Sequence, residues 1–356
     1  MIKMSDDLKE FIDRWNDDNL TMLVHTSGST GKPKAMYVSK KMMIESAKMT
    51  INALGLDEQT IALLNLPIKY ISGQMMVIRS IVGNFRLIEG PVSSHPLKDL
   101  NEIVGKDSCI TFASMTPMQV YNTSLESKEW DSLAKIKTLI IGGGAISNEL
   151  EDKLQTISTE VYATYGMTET LSHIALRHVN GPYKSNYFIP FEGVKITIDL
   201  LGRLHIDAPR VCAEHLITND LVEITNNENN NNPEEHRPLQ FRFIGRLDNV
   251  INSGGVKIHI EEVEQKIIDY YRQNKRNLKE FDFAITFISD TTFGEMTVLL
   301  DSTASLTVDQ FDFLDSIERP KKILQIDRIP LTSTNKINRK VCHQTASDIA
   351  TKYLQS

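Results

Sequence analysis

The sequence predicts an α/β fold in which a large N-terminal layered domain precedes a small α+β C-terminal domain. Three observations support this prediction. The chain has 356 residues, which is more than one small core accommodates. Short apolar runs alternate with helix-length segments from about Leu20 to Tyr165, and the pattern changes at Gly193. We therefore expect a large domain over residues 1–245 and a small domain over residues 246–356.

The large domain is predicted to contain a largely parallel sheet, because buried strands alternate with helices. The strands are expected at Met22–Val24, Ile61–Leu66, Phe85–Ile88, Cys109–Ala113 and Leu139–Ile141. The helices between them are expected at Lys40–Leu54, Gly73–Ile81 and Ser147–Ile157. In such a sheet the ligand binds beyond the carboxyl ends of the strands, where Thr26, Ser114 and Gly142 emerge.

The pattern after Gly193 consists of short alternating stretches, such as Val194–Ile198 and Arg203–Ile206, which are typical of an antiparallel β unit. The run Asn226–Asn232 contains six asparagines and predicts a solvated turn. A second compact unit is expected after Asp248. Its predicted elements are a helix near Ile260–Tyr271, strands at Phe283–Ile288 and Met296–Leu300, and a terminal helix from about Asn338.

The composition narrows the function classes. A net charge of −7 argues against broad binding to nucleic acid or to an anionic membrane, because those partners need a basic face. No run of about 18 apolar residues predicts a transmembrane helix, so stable membrane insertion is not expected. The N-terminal residues are charged where a signal peptide needs an apolar core. Three widely spaced cysteines disfavour a disulfide framework, and we expect a cytoplasmic protein.

The stretch from His25 to Lys34, HTSGSTGKPK, has the residue types of an anion-binding loop. Its glycines let backbone N–H groups approach an anion, its hydroxyls donate hydrogen bonds, and its lysines supply positive charge. Only two residues separate Gly28 from Gly31, and Pro33 follows Lys32, so this is not the Walker-type loop. The pattern predicts phosphate binding by a loop of a different type.

The same stretch resembles the signature loop of the adenylate-forming superfamily, which contains acyl- and aryl-CoA synthetases, peptide-synthetase adenylation domains and luciferases. In that superfamily the loop orients the β,γ-phosphates of ATP. The resemblance implies that ATP is bound by Thr26, Ser27, Gly28, Ser29, Thr30, Gly31, Lys32 and Lys34. Further motifs follow in the superfamily's order, from about Thr21 to the end of the chain.

Two of these motifs complete the nucleotide site of the large domain. The segment Tyr165–Thr170, YGMTET, resembles one in which an aromatic ring packs on adenine, a threonine meets phosphate and a glutamate binds Mg²⁺. The resemblance implies ATP contacts from Tyr165, Gly166 and Met167, and catalytic roles for Thr168 and Glu169, with Glu169 as the metal ligand. A carboxylate beside a hydroxyl suits Mg²⁺, which prefers oxygen ligands. The triple glycine 142–144 resembles the turn that lines the adenine and acyl pockets, which implies ATP contacts from Gly143, Gly144 and Ala145.

Motifs nearer the C-terminus resemble the superfamily segments that bind the ribose, form the hinge and serve thioester formation. Thr218–Leu221 matches a Thr-Gly-Asp element with Asn219 in place of glycine, and the resemblance implies that Asp220 and Arg246 bind the ribose. Asp248 matches the hinge about which the small domain turns between half-reactions. Ser253–Lys257 resembles a loop of the pantetheine tunnel, which implies roles in thioester formation with coenzyme A for Gly254, Gly255 and Lys257.

The stretch Ile329–Arg339 resembles the superfamily ending P-x-T-x-x-G-K-I-x-R, with Asn335 in place of the glycine. The resemblance implies that Lys336 is the catalytic lysine of adenylation, whose ammonium bridges the attacking carboxylate and the α-phosphate. The implied reaction joins an acid to ATP as an acyl-adenylate and then transfers the acyl group to coenzyme A. No carrier domain follows Lys336, which favours free coenzyme A over a carrier protein.

Among compact members of the superfamily, the sequence most resembles the o-succinylbenzoate–CoA ligases of menaquinone synthesis. This resemblance rests on Leu66–Gly73, LPIKYISG, and on Ser114–Gln119, SMTPMQ, with Tyr70 where histidine is common. It implies an acyl site formed by Lys69, Tyr70, Ser72, Gly73, Arg79 and Ser114, in which Lys69, Tyr70, Ser72 and Arg79 are the candidate donors to the acid's second carboxylate. The alternatives are a ligase for another acid, an adenylation domain, and a non-catalytic nucleotide or acyl-adenylate sensor.

The signature loop lies closer to the N-terminus here than is usual in the superfamily, since only about twenty residues precede the strand that leads into it. We therefore expect most of the N-terminal subdomain to be absent and the remaining sheet to have an exposed flank. Either a homodimer covers that flank or the first sheet is trimmed, and both alternatives stay open.

Overall fold

The computed structural model describes residues 4–25, 35–100, 109–225, 239–274, 278, 281–332 and 337–355. The chain divides into two compact units. The first unit consists of Met1–Thr197, His205–Ile217 and Ile224–Arg242, and the second of Ile198–Leu204, Thr218–Glu223 and Phe243–Ser356. The functional division at residue 245, with a hinge at Asp248, stays a prediction.

The first unit begins with a helix and a hairpin. Helix α1 (Asp6–Asn16) starts after Ser5, whose hydroxyl accepts a hydrogen bond from the Leu8 backbone N–H. Strand β1 (Thr21–His25) pairs antiparallel with β2 (Ala35–Ser39) in a sheet of two strands. The prediction that Met22–Val24 joins the parallel sheet is therefore wrong. The chain returns so that His25 lies opposite Ala35, and β1 takes its hydrogen bonds from this neighbour.

A seven-stranded sheet forms the centre of the first unit, in the order β4-β3-β5-β6-β7-β8-β9. The neighbouring strands from β4 to β7 are parallel, and β8 and β9 are antiparallel additions, so the prediction of a largely parallel sheet is confirmed. The elements are α2 (Lys40–Leu54), β3 (Ile61–Leu64), α3 (Ile71–Gly83), β4 (Arg86–Glu89), β5 (Phe112–Met115), α4 (Pro117–Thr123), α5 (Ser127–Leu133), β6 (Thr138–Ile141), α6 (Asn148–Leu154), β7 (Glu160–Gly166), β8 (His173–His178) and β9 (Ile189–Pro190).

Helices cover the sheet on both faces, which explains why its strands are almost continuously apolar. One face packs against α4, α5 and α6 through residues such as Leu139 and Val161. Ile140 in β6 and Ala62 in β3 point to the opposite face of the sheet, where they are also buried. Helices α2 and α3 pack against each other and against β8, β3 and β4. The strand ends are thereby held at one edge of a rigid layer.

The predicted helices of this unit are found, with small differences in their ends. The predicted and observed ranges of α2 coincide, because Gly55 adopts the left-handed conformation (φ 59°) that ends the helix. Helix α3 begins two residues earlier than predicted and ends at Asn84, which is also left-handed (φ 53°). Strand β5 begins three residues later than predicted, so Ser114 lies within the strand and not beyond its end.

The expected β unit is present as a four-stranded sheet in the order β10-β11-β12-β13, whose residues are divided between the two units. Its strands are β10 (Lys195–Ile198), β11 (Arg203–Asp207), β12 (Leu216–Thr225) and β13 (Gln240–Arg246). The asparagine run Asn226–Asn232 lies outside the described residues.

The second unit contains a five-stranded sheet. Four of its strands lie in the order β15-β14-β17-β16, and the fifth, β18, also pairs with β17. The predicted strands and helices of this unit are found, together with three strands that the sequence did not predict. Two apolar clusters fill it, one around α7 and one around Cys342 on α8. The elements are β14 (Val250–Ser253), β15 (Val256–His259), α7 (Ile260–Gln273), β16 (Phe283–Asp290), β17 (Gly294–Asp301), β18 (Lys322–Gln325) and α8 (Arg339–Gln355).

Candidate active site

The carboxyl ends of β5, β6 and β7 lie side by side and carry three predicted ligand-binding segments. Ser114 is in β5, next to β6. Gly142 follows β6, and a Cβ atom there would lie 2.4 Å from Thr164 Oγ1 on β7, so glycine permits this close approach. The turn continues with Gly143, which is left-handed (φ 85°). Gly143, Gly144 and Ala145 are all exposed.

Strand β7 ends in a strained turn that presents a carboxylate. Thr168–Thr170 form one 3₁₀ turn, in which the Thr170 hydroxyl accepts a hydrogen bond from the Met167 backbone N–H at 3.0 Å. Leu171 is buried with a positive φ of 65°, a conformation that a side chain adopts at a cost. Glu169 is exposed at the tip, where it makes no ion pair with any described residue.

Two phenylalanines fix the ring of Tyr165, the residue predicted to pack on adenine. The ring meets Phe241 edge-on with centroids 5.0 Å apart, and Phe188 at 5.9 Å. Phe188 and Phe241 stack on each other at 5.5 Å, and their backbones form an isolated β-bridge. Such aromatic pairs restrict ring rotation, so Tyr165 presents a defined surface. Neither phenylalanine was predicted from the sequence as part of the site.

The start of α3 carries the predicted acyl-binding residues other than Ser114. A Cβ atom on Gly73 would lie 2.4 Å from the Pro67 carbonyl oxygen, so this glycine allows the helix to begin against the preceding loop. Lys69 and Ser72 are exposed, and the Lys69 ammonium lies 5.1 Å from the centroid of the Tyr70 ring. Arg79, in contrast, is 2% exposed.

Arg79 is a buried cation without a carboxylate partner among the described residues. Its Nη2 donates one hydrogen bond, to Ser172 Oγ at 2.6 Å, and its buried Nε has no partner in the described part of the chain. Burial lowers the pKa of Arg79 to about 10, so the side chain remains charged at neutral pH. A buried charge without compensation is costly, so this guanidinium is a candidate site for an anion.

The predicted ribose-binding residues and the predicted hinge come together in the second unit. The Arg246 guanidinium donates to Asp220 Oδ1 at 3.0 Å and to Asp248 Oδ2 at 3.2 Å. Asn219, which stands where the superfamily has glycine, donates from Nδ2 to Asp248 Oδ1 at 2.8 Å. The carboxylate of Asp248 is therefore held from two sides.

The two glycines predicted to serve thioester formation form the turn of the hairpin between β14 and β15. Ser253 pairs with Val256, and the intervening Gly254 and Gly255 have φ values of 57° and 81°. Turns of this kind require positive φ at both positions, which favours glycine. Lys257 is exposed on β15.

The predicted phosphate loop and the predicted catalytic lysine lie outside the described residues. This applies to Thr26–Lys34 and to Lys336. The described residues that flank them are paired, since His25 lies opposite Ala35 and Leu331 forms a β-bridge with Ile337.

The donor set at Glu169 fits one mode of magnesium binding. Within the described residues, no three or more His, Cys, Asp and Glu side chains are grouped as a metal site. Mg²⁺ is commonly held by one or two carboxylates together with the phosphates of the nucleotide and water. The exposed Glu169 beside the Thr168 hydroxyl supplies a single carboxylate of this kind.

The first unit also contains polar residues that sequence reasoning missed, namely Ser172, His173 and Thr50. Ser172 and His173 follow YGMTET after a single residue, Leu171, and His173 is 7% exposed. Their proximity in sequence to a recognised motif was the available signal. Thr50 lies on α2 and is linked to them only by the fold, through a hydrogen-bonding distance of 3.1 Å to His173 Nε2.

The carboxyl edge of this α/β sheet carries the segments predicted to bind a nucleotide, and the sequence profile of the AMP-binding enzyme family matches residues 4–199. The chain belongs to this family. A solved acyl-CoA synthetase (AMP-forming)/AMP-acid ligase II-like protein from Dyadobacter fermentans is 30% identical, with a TM-score of 0.62 over 96% of this chain and 94% of that chain.

Other relatives carry one activity in their names. The 2-succinylbenzoate–CoA ligase of Escherichia coli K12 is 26% identical over 71% of this chain and 53% of its own length. That of Staphylococcus epidermidis RP62A is 25% identical over 92% of this chain and 70% of its own length. The o-succinylbenzoate CoA synthetase of Bacillus subtilis, solved with its acyl-adenylate intermediate, has the same fold, with a TM-score of 0.69 over 89% of this chain and 68% of that chain at 22% identity. The chain thus spans 53% to 70% of the length of the two named ligases.

Within the described residues, no helix is both long enough and apolar enough to cross a lipid bilayer.

Proposed function

We propose that the chain is an ATP-dependent, AMP-forming acid–CoA ligase that converts o-succinylbenzoate to its CoA thioester. Membership of the AMP-binding enzyme family and the names of the E. coli and S. epidermidis relatives support this proposal. The acid, ATP and coenzyme A are the proposed substrates, and Mg²⁺ is the proposed cofactor.

The observation that carries the choice of acid is the uncompensated guanidinium of Arg79. In a monocarboxylic acid the only carboxylate is the group that reacts with the α-phosphate, so no second negative charge is present to neutralise a buried cation. A dicarboxylate such as o-succinylbenzoate has a second, aryl carboxylate for this purpose. Among the described residues Arg79 has an unpartnered Nε, and it donates to Ser172, which lies three residues after Glu169 in the sequence.

The proposed first step joins the succinyl carboxylate to the α-phosphate of ATP and releases pyrophosphate. Tyr165, held by its two phenylalanines, packs on the adenine. The phosphate loop Thr26–Lys34 and Thr168 donate to the phosphates, and Lys336 neutralises the negative charge that moves onto pyrophosphate. Mg²⁺, when bound at Glu169, supplies further charge neutralisation. Holding both reactants in line replaces a rare encounter with an intramolecular one.

In the proposed second step, the acyl group of the acyl-adenylate is transferred to coenzyme A. The thiol of coenzyme A loses its proton and attacks the acyl carbonyl, a C–S bond forms, the C–O bond to phosphate breaks, and AMP leaves. Asp220 and Arg246 hold the ribose, and the carboxylate of Asp248 anchors the hinge segment through Arg246 and Asn219. Gly254, Gly255 and Lys257 line the path of the pantetheine arm in this proposal.

The experiment is an acid panel read in two ways. Purified protein, Mg·ATP and each acid are assayed for exchange of labelled pyrophosphate into ATP, and then with coenzyme A for thioester by mass spectrometry. We expect exchange and thioester with o-succinylbenzoate. Exchange without thioester would identify an adenylation domain, another productive acid would identify a different ligase, and no exchange with any acid would identify a sensor.

Single substitutions of the four candidate donors test the acyl site. Arg79→Met is expected to raise the KM for o-succinylbenzoate, whereas Arg210→Met, which removes a surface arginine paired with Glu45, serves as the matched control. The acyl site is wrongly placed if substitution of Lys69, Tyr70, Ser72 and Arg79, each in turn, leaves this KM unchanged.

A further inference from the structure

A chain of buried polar groups connects Arg79 to the backbone of α2. Arg79 Nη2 lies 2.6 Å from Ser172 Oγ, and Ser172 Oγ lies 3.2 Å from His173 Nδ1. His173 Nε2 lies 3.1 Å from Thr50 Oγ1, and Thr50 Oγ1 lies 3.3 Å from the Ser46 carbonyl oxygen. All five residues belong to the first unit. We call Thr50, His173 and Ser172 the buried polar chain.

The two ends of the chain restrict the directions that the hydrogen bonds in it can take. A guanidinium only donates and a backbone carbonyl only accepts. Ser172 therefore accepts from Arg79 and donates its own proton to His173 Nδ1. Thr50 donates to the Ser46 carbonyl and accepts from His173 Nε2. We therefore assign His173 as a neutral imidazole with its proton on Nε2, which gives every group in the buried polar chain a partner.

A protonated His173 does not fit this arrangement. It would present an N–H group at Nδ1, so the Ser172 hydroxyl would lose its acceptor while two donors pointed at its oxygen. It would also place a second buried positive charge beside Arg79. Burial and the Arg79 charge accordingly hold the pKa of His173 well below its ordinary value. The edge-on contact with Phe191, at a centroid distance of 5.4 Å, fixes the ring plane.

We propose that Ser172, His173 and Thr50 are positioning residues, which orient the Arg79 guanidinium for the second carboxylate of the acid. This inference rests on the proposed function and adds to it the residues that decide selection of a diacid. Ser172 is the only described residue to which Arg79 donates a hydrogen bond. The remaining N–H groups, including that of the unpartnered Nε, are then left for a ligand.

The physical reason is the conformational freedom of arginine. An arginine side chain loses rotamer entropy when it is fixed, and a fork of N–H groups binds a carboxylate well only in one plane. The buried polar chain fixes this plane before the acid arrives. Without the buried polar chain, the acid must order Arg79 when it binds, which weakens binding and raises the KM for the acid.

The test combines substitutions with two acids. His173→Phe removes both ring hydrogen bonds but keeps a flat ring, whereas the amide of His173→Gln can both accept from Ser172 and donate to Thr50. The second acid is 4-oxo-4-phenylbutanoate, which lacks the aryl carboxylate of o-succinylbenzoate. Initial rates of pyrophosphate exchange give kcat and KM for each acid and for ATP.

We expect His173→Phe to raise the KM for o-succinylbenzoate by about tenfold, the loss associated with one charge-assisted hydrogen bond. The KM for 4-oxo-4-phenylbutanoate and that for ATP should stay within about twofold of the parent values, a tolerance narrower than that effect. His173→Gln should restore most of the affinity for the diacid. The control is His178→Phe, on the same strand, where the ring stacks on Tyr162 and does not join the buried polar chain.

Two results would overturn the proposal, and they are distinguishable. If the parent protein activates the diacid but His173→Phe changes the KM for both acids equally, or for neither, the positioning role alone is wrong. If the parent protein activates no diacid, the proposed function fails and the positioning role fails with it. Imidazole ¹⁵N NMR provides a readout that does not require activity, since a protonated ring or a proton on Nδ1 of His173 at neutral pH would contradict the assigned hydrogen bonds.

Discussion

Acidification is expected to destabilise the first unit because His173 is buried as a neutral imidazole. In the folded protein the pKa of His173 lies well below the ordinary value of 6.5, owing to burial and to the charge of Arg79. In the unfolded chain the same group titrates near that ordinary value. Below about pH 6.5 the unfolded state therefore binds one more proton than the folded state, and stability falls as the pH falls.

The magnitude follows from the linkage relation. While the unfolded imidazole is protonated and the folded one is not, the free energy of unfolding falls by about 1.4 kcal/mol per pH unit. Between about pH 7.5 and about pH 5 the accumulated loss from His173 reaches about 2 kcal/mol when the folded imidazole stays neutral over this whole range. His173→Gln keeps the hydrogen-bonding groups but does not titrate, so the difference between the two proteins isolates this contribution from that of the carboxylates.

The assay is urea unfolding followed by tryptophan fluorescence. Both tryptophans, Trp15 and Trp130, belong to the first unit, so their emission reports the unit that contains His173. The parent protein should lose about 2 kcal/mol more than His173→Gln over this pH range. Parallel pH dependences for the two proteins would show that His173 titrates in the folded protein as it does in the unfolded chain, and the reasoning from burial would be refuted.

Three further predictions address the nucleotide site, the catalytic lysine and the hinge. Gly166→Ala places a Cβ atom 2.3 Å from the Ser172 carbonyl oxygen. The free energy of unfolding, measured by tryptophan fluorescence, should therefore fall by about 1–3 kcal/mol. An unchanged free energy of unfolding would contradict the close packing. Lys336→Ala should reduce pyrophosphate exchange by about 10²–10³-fold with folding intact by circular dichroism, and parent-like exchange would remove Lys336 from the mechanism. Asn219→Gly removes the hydrogen bond to Asp248, and an exposed hydrogen bond of this kind contributes about 1 kcal/mol. The substitution should alter the rate of thioester formation in single turnover and leave the rate of pyrophosphate exchange within about twofold of the parent rate. Equal effects on both rates would argue against a role of Asn219 at the hinge.

The parts of the fold that were predictable from the sequence are those with strong local signals. Helix α2 was predicted with its observed ends because apolar periodicity and the following Gly55 both mark them. The parallel strands β3 and β6 are short apolar runs bounded by turn residues. Strands β8 and β9 were not predicted, because the strands expected from the sequence alternate with helices, and these two strands are added antiparallel without a helix between them.

The candidate site shows the same division. Thr168, Glu169, Asp220 and Arg246 each belong to a short motif of consecutive residues, so residue type and order were enough to predict them as site residues, and their roles stay predictions. The sequence also supplied Arg79 as one of four candidate donors, but with no means of separating it from Lys69. Their burial separates them, since Lys69 is exposed and Arg79 is 2% exposed.

The sequence by itself determined the family, the order of the motifs and the residue types that a nucleotide and an acid require. These properties depend on local chemistry, which neighbouring residues specify. Only the tertiary structure decided that Arg79 meets Ser172 across 93 positions of the chain, and that His173 is buried within hydrogen-bonding distance of Ser172 and Thr50. Burial and hydrogen-bond direction depend on what surrounds a side chain in space, and folding brings those surroundings from α2, α3 and β8 together.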